Sequence, residues 1–337
     1  MAQASDLKGV FVNRWIALFS SLLFCLPPCV LAQGWRPDKA VEIVIGAAPG
    51  GANDRIGRSL QRLLQDGRAN QITTPVNVVN KPGGGQSVAF AYLNTHPNNP
   101  HFLGLASSSW LTTVAAGRGT VTPRELSPVI KLLDEYQMYF VRADSTIKSA
   151  RDIVERLRKD PASVTFGIST AAGNPIHISV AEIARLAGAD PTKLKVVVFN
   201  TGTDTAIQVA GGHLDVGIQS PGSAMQLTQS GKLRFLGVAG PRRHGGILAN
   251  VPTMREQGVD ITANVFYTIF GPRGLDAAQL AFWDEALSSA MKSDAVKKDL
   301  DFNFWTVDTV GHRDLPAFLE KELDAYRRTL VALGMAK

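Results

Sequence analysis

Cysteine is nearly missing from this chain. Cys25 and Cys29 are the only two in 337 residues, and both fall within the first 32. Once that stretch is set aside no thiol is left, which excludes disulfides, zinc–thiolate sites and cysteine catalysis. Lipid attachment is not expected either, because Phe24 and Pro28, rather than small residues, precede the two cysteines. No H-E-x-x-H and no histidine pair at metal spacing occurs, so a metal centre is not expected. There is no G-x-x-x-x-G-K-[ST], no G-x-G-x-x-G opening a helix and no G-x-S-x-G elbow. A nucleotide site and an α/β-hydrolase nucleophile therefore have no support, and no cofactor is expected. Dense Lys/Arg clusters interleaved with aromatics are also lacking. The formal net charge of +6 is spread along the chain, giving no nucleic-acid footprint but favouring anionic ligands in general.

The one long apolar run lies near the start. Lys8 and Arg14 precede Trp15 to Val30, and Val30-Leu31-Ala32 fits a small-x-small cleavage site before Gln33. Residues 1–32 are expected to be a secretory signal peptide, since Pro27-Pro28 interrupts the run and the stretch is short for a membrane span. Excluding Asp6, Lys8 and Arg14 lowers the net charge by one. The mature product is then an exported protein of about 300 residues, more than one core comfortably fills, so two domains are expected.

What the chain has in abundance is short apolar strands that run into turns of small residues and then into helices. Val41–Ile45 leads to Pro49-Gly50-Gly51, and Thr165–Ile168 leads to Ser169-Thr170-Ala171-Ala172-Gly173-Asn174. The first N–H groups of a helix have no intrahelical acceptor and sit at the positive end of its dipole. Small-residue turns let a ligand approach them, so several such turns brought together bind a carboxylate or phosphate without a catalytic side chain. Strand and helix alternate almost throughout, which predicts α/β layers with mainly parallel sheets. Further strands are expected at Val76–Val79, Phe102–Ala106, around Met138–Val141, at Val196–Phe199 (buried), Leu214–Ile218, Leu233–Val238 and Val265–Gly271, with mostly helix from Asp276. Asn174-Pro175 reads as an N-cap followed by Pro at the first helical position.

Single residues leave alternatives open. Asp54 sits in the first turn of a helix, where its charge would repel an anion; fixing the loop, holding a water or accepting from a ligand hydroxyl suits it better. Ser169, His177 and Asp204 invite a hydrolase triad, but His177 lies early in a helix, where ordering a loop is the plainer role. Phe266-Tyr267 either walls a pocket or packs in a core.

Taken in order, these segments resemble the extracytoplasmic solute-binding proteins of tripartite tricarboxylate transporters, the Bug or TctC family. The resemblance runs from Trp35 to Leu333. Trp35-Arg36-Pro37-Asp38-Lys39-Ala40 looks like the family's W/Y-P-x-K-P opening, Pro49-Gly50-Gly51 with Asp54 like P-G-G-x-x-D, and Asn80-Lys81-Pro82-Gly83 like N-[RK]-P-G. Gly167 through His177 resembles G-S-x-G-x-x-x-x-H, and Gly211-Gly212-His213-Leu214-Asp215, Gly231-Lys232-Leu233-Arg234 and Val251-Pro252-Thr253 follow in the family's order. The resemblance implies a type II periplasmic-binding-protein (Venus flytrap) fold of two α/β lobes with crossing strands. Residues 33–140 and 258–337 would form lobe 1 and residues 141–257 lobe 2. It implies a periplasmic, non-enzymatic protein, expected to be monomeric, that captures a small organic acid and delivers it to integral-membrane transporter subunits. Carboxylates would be held by loop backbone and water rather than by an arginine clamp. By matching positions, Pro49, Gly50, Gly51, Asp54, Ser107 and Ser108 would form one jaw. Ser169, Thr170, Gly173, Asn174, Thr201, Gly202 and Asp204 would form the other.

Departures from the pattern bear on the ligand. Ala48 replaces the first Pro of P-P-G-G, Ala52-Asn53 replaces Ser-Thr, Phe199-Asn200-Thr201-Gly202 stands where Y-K-G is common, Gln219-Ser220 replaces D-N, and Asn98-Asn99-Pro100-His101 replaces a D-G-Y segment. The alternatives are a ligand-presenting component for a sensor kinase, and an exported hydrolase or isomerase using His177.

Overall fold

The computed structural model describes residues 34–66 and 72–336. The expected signal peptide, with Cys25 and Cys29, lies outside the described residues. From Arg36 on the chain makes one unit, built on two mixed sheets. The first contains β1 (Val41–Ile45), β2 (Val76–Asn80), β3 (Phe102–Ser107), β4 (Ser127–Tyr136), β10 (Asn264–Gly271) and β11 (Thr306–Gly311), in the order β11-β4-β10-β3-β1-β2. The second contains β5 (Met138–Arg142), β6 (Thr165–Ser169), β7 (Lys195–Phe199), β8 (Val216–Gln219) and β9 (Leu233–Val238), in the order β7-β6-β8-β5-β9.

Helices that follow strands β1 to β3 and β5 to β8 cover the two sheets. In the first lobe these are α1 (Ala52–Gln65), α2 (Ser87–Asn94) and α3 (Ser108–Ala115). In the second they are α4 (Ala150–Lys159), α5 (Pro175–Leu186), α6 (Gly202–Ala210) and α7 (Pro221–Gln229). The chain ends with α8 (Ala277–Lys292), α9 (Asp294–Asn303) and α10 (Leu315–Ala332). Local sequence accounts for many of these starts. Ile56, Leu60, Leu63 and Leu64 form one buried stripe on α1. The Asn174 side chain caps α5 by accepting from the His177 N–H, with Pro175 at the first helical position. Ser149 with Asp152 and Thr201 with Asp204 form capping boxes on α4 and α6.

The two sheets are not mainly parallel. β10 runs antiparallel between β3 and β4, and β5 runs antiparallel between β8 and β9. The cause is the way the chain crosses between lobes. β4 runs almost straight into β5, with Gln137 alone between them, so the strand leaves one sheet and joins the other. The Gln137 N–H donates to the Ala263 carbonyl (3.0 Å), the Ala239 N–H to the Gln137 carbonyl (2.9 Å), and the Ala263 N–H to the Ala239 carbonyl (2.9 Å). The outward and return crossings thus lie side by side. Met138 to Arg142 pair within the second sheet, so the sheets change over at Gln137.

Three strands differ from expectation, and one of them is β11, which lies in the stretch from Asp276 that read as mostly helix. β4 went unforeseen because Lys131, Asp134 and Glu135 interrupt its apolar pattern, yet all three are buried and partnered. β7, expected to be buried, is an edge strand with Val197 39 % and Val198 40 % exposed. The first lobe's core centres on stacked Phe90 and Trp110 (4.0 Å between ring centroids) with Phe270 edge-on to both. That of the second packs Tyr139, Phe166, Ile183 and Ile218 between the sheet, α4 and α5.

Candidate functional site

A cavity of about 610 Å³ opens where the carboxyl ends of β1, β2, β3 and β6 meet, the place where open α/β sheets bind ligands. The first lobe supplies Gly46 and Ala47 after β1, Asn53 from α1, Gly83 to Gln86 after β2, and Ser107, Ser109, Thr112 and Thr113 around the start of α3. Arg118 lies just beyond α3. The second lobe supplies Thr170, Ala171, Ala172 and Asn174, the turn between β6 and α5.

On the first side Gln86 is the organising residue. Its Nε2 donates to Ser107 Oγ (2.7 Å), and its Oε1 accepts from the Ser107 N–H (3.1 Å) and from Asn53 Nδ2 (3.2 Å). One buried amide thereby ties α1, the glycine turn and the start of α3 together. Gly46 makes this possible, since a Cβ there would lie 2.6 Å from Gln86 Cβ. On the second side Asn174 Nδ2 donates to the Ser169 carbonyl (2.7 Å) and to Thr170 Oγ1 (2.9 Å), while the Thr170 N–H reaches the Phe199 carbonyl. The Gly173 N–H donates to His177 Nδ1 (3.0 Å). Burial lowers the pKa of His177, which favours a neutral ring with its proton on Nε2. This histidine orders the loop.

Gln86 (φ +77°) and Thr170 (φ +72°) both hold left-handed backbone conformations without being glycine. Such strain persists only where the surroundings over-determine it, and it clusters at functional sites. Both residues line the cavity, one from each lobe. The N-terminal turns of α3 and α5 also reach it through Ser107, Ser109 and Asn174. Their dipoles, and at α3 a first turn that no side chain caps, make the wall electropositive. Arg118 is the sole formal charge among the lining residues, which include no carboxylate.

The residues singled out from the sequence fall into three groups. Ser107, Thr170 and Asn174 line the cavity, and Gly173 lies in the same loop. Pro49, Gly50 and Gly51 form an exposed turn beside it. The Gly50 N–H there is taken by Asp54 Oδ2 (2.9 Å), which also accepts from Arg58 Nε (2.9 Å), while Asp54 Oδ1 accepts from Asn80 Nδ2 (3.0 Å). Asp54, 3 % exposed, fixes that loop. The rest point elsewhere. Ser108 is fully buried with its Oγ accepting from the Phe266 N–H, Ser169 Oγ donates to Gln219 Oε1 (2.8 Å), and Thr201 and Asp204 cap α6, of which Gly202 is the first residue. Phe266 and Tyr267 pack in the interior.

Residues 60–334 match the family described as the tripartite tricarboxylate transporter family receptor, TctC. The chain belongs to that family. A relative from Cupriavidus necator, a UPF0065 protein in the gbd 5′ region, is 25 % identical over 302 residues, 89 % of each chain. A TctC solute-binding protein from Polaromonas superposes with a TM-score of 0.74 at 19 % identity, covering 88 % of this chain and 99 % of that one. An R. palustris protein solved with adipate gives 0.72 at 18 % identity, covering 89 % and 99 %. TctC receptors are periplasmic solute-binding proteins of two-lobed fold, and the two sheets described above are that architecture. The family is one of receptors and not a class of enzymes. Among the described residues no helix is long and apolar enough to cross a membrane, and no group of three metal-ligating side chains converges.

For a TctC receptor, the cavity residues that sequence reasoning did not single out are Gly46, Ala47, Gln86, Ser109, Thr112, Thr113 and Arg118, while Asn53 stood out only as a departure from the family pattern. Ser109 and the glycine turn follow β3 and β2, two strands that the sequence led one to expect. Gln86 gave no signal, because an amide two residues into a helix-opening turn reads as surface.

Proposed function

We propose that this protein captures a small organic acid in the cavity between its lobes and presents it to an integral-membrane transporter of the tripartite tricarboxylate type. Residues 1–32 would direct it to the periplasm, where it acts as a monomer. One observation carries the reading: a cavity walled by neutral polar groups and two helix N-termini, with one guanidinium and no carboxylate. Such a wall stabilises an anion, and would leave a neutral sugar without charge complementarity. The adipate found with the R. palustris relative is an acid of the size such a cavity takes. The residues proposed to meet the ligand are Asn53, Gln86, Ser107, Ser109, Thr170 and Asn174. The Pro49-Gly50-Gly51 turn with Asp54 and the Thr201-Gly202-Asp204 cap would hold the surrounding loops in place. The lobes would divide near residues 137 and 262, where the sheets exchange strands.

Thermal unfolding of the chain from Gln33 to Lys337 tests this against dicarboxylates, tricarboxylates, acidic amino acids, aromatic acids and neutral sugars. At about 100-fold over Kd a ligand adds about 2.7 kcal/mol, a shift of several degrees. A selective shift with one class of acid is expected; a shift only with sugars would overturn the reading.

A further inference from the structure

We infer that Arg118 is the specificity-determining residue of this cavity, reading a second anionic group on the ligand apart from the one held at the N-terminus of α3. This deepens the function just proposed and rests on it. The backbone of Arg118 is fixed by the way α3 ends. The Gly117 N–H donates to the Val114 carbonyl (2.9 Å) and the Arg118 N–H to the Thr113 carbonyl (3.0 Å), with Gly117 at φ +72°. That is a Schellman closure, in which glycine supplies the left-handed residue. Arg118 is therefore delivered by a helix end and not by a wandering loop.

Its side chain faces the opposite lobe: a Cβ built on Gly173 would lie 3.5 Å from Arg118 Nη2. The guanidinium therefore stands against the Thr170–Asn174 turn and lines the cavity with it. No Asp or Glu among the lining residues faces it. A guanidinium pairs with a carboxylate through two parallel N–H···O bonds, which supplies geometry as well as charge.

The two positive features of the first lobe lie at opposite ends of α3. Ser107 and Ser109 line the cavity at its N-terminus, and Arg118 lines it beyond the C-terminus. An eight-residue helix spans about 12 Å, which sets the backbone of Arg118 well away from the N-terminus of α3. The chemistry that fits is an acid carrying two anionic groups on a short spacer. An arginine placed only to complement the helix C-terminus would give no preference between a diacid and its monoamide.

The test uses the Gln33–Lys337 chain, Arg118→Gln and Arg118→Lys, titrated calorimetrically with succinate, glutarate, adipate and suberate and with the monoamide of each. The parent is expected to bind one diacid at least about tenfold more tightly than its monoamide, and Arg118→Gln to abolish that preference by weakening the diacid alone. Arg118→Lys is expected to keep part of it, because charge remains while the bidentate fork is lost. Thermal unfolding of the unliganded variants is expected to match the parent, since the side chain is exposed. An unchanged diacid-to-monoamide ratio in Arg118→Gln would overturn the inference and leave acid capture standing. Failure of every acid to bind the parent would overturn both.

Discussion

Asp54 shows how a single side chain shapes the cavity's surroundings without lining it. Burial by itself would raise its pKa, but hydrogen bonds from Arg58, the Gly50 N–H and Asn80 outweigh this and hold the carboxyl below its usual range. The group contributes stability that is present above the unfolded-state pKa and is lost as pH falls through the lower folded value. Asp54→Ala leaves the Gly50 N–H and Asn80 Nδ2 without their acceptor. It is expected to destabilise the protein by about 1–3 kcal/mol, measured by denaturant unfolding at neutral pH, with a smaller difference from the parent in strong acid. An equal difference at both pH values would contradict the role given to the charge. Sequence marked Asp54 as important through its place after Pro49-Gly50-Gly51. It did not show the carboxylate turned back onto the loop, because that depends on Asn80, which arrives from β2.

At the scale of elements, β4 is the instructive strand. Lys131 Nζ donates to Asp134 Oδ2 (2.9 Å) and Asp308 Oδ2 (2.6 Å), and Asn264 Nδ2 donates to Asp134 Oδ1 (2.6 Å). Asp308 and Asn264 come from β11 and β10, far away in sequence, so the charges look like a loop until the sheet is assembled. The capped helix starts at Asn174-Pro175 and Thr201 were legible because their partners lie within three residues. Glu135, 6 % exposed, accepts from Trp305 Nε1 and Tyr267 Oη at 3.3 Å each. Burial raises its pKa despite those bonds and the positive charge of Arg55. The native state thus keeps this proton to higher pH than the unfolded chain does. Stability from this group falls as pH rises from about 4.3, the ordinary glutamate value, through the raised folded value. Glu135→Gln is expected to remove that component of the slope, seen as a flatter dependence of unfolding free energy on pH above about 4.3. An unchanged slope would show that Glu135 ionises in the native state as it does in water.

At the scale of the whole molecule, two lobes share crossing strands at Gln137, Ala239 and Ala263, and a second contact joins them. Ile178 of α5 packs into the first lobe's cluster with Trp110 and Leu330, and Thr329 on α10 donates to Glu182 Oε1 (3.1 Å) on α5. The cavity therefore lies between two lobes joined by the crossing strands and by the contact between α5 and α10. The family and the two-lobed fold were legible because short motifs recur in a fixed order along the chain. The chemistry of the cavity was less so. Gln86 and Arg118 act through a hydrogen-bond knot and a helix end that exist only once the strands are in place. The measurement closest to the central claim is calorimetric titration of the Gln33–Lys337 chain with each diacid from succinate to suberate and with the corresponding neutral diamide. Saturable binding of at least one diacid, with its diamide silent at the same concentration, is the predicted result. A diamide that binds as tightly as its acid would contradict the claim that this cavity recognises negative charge.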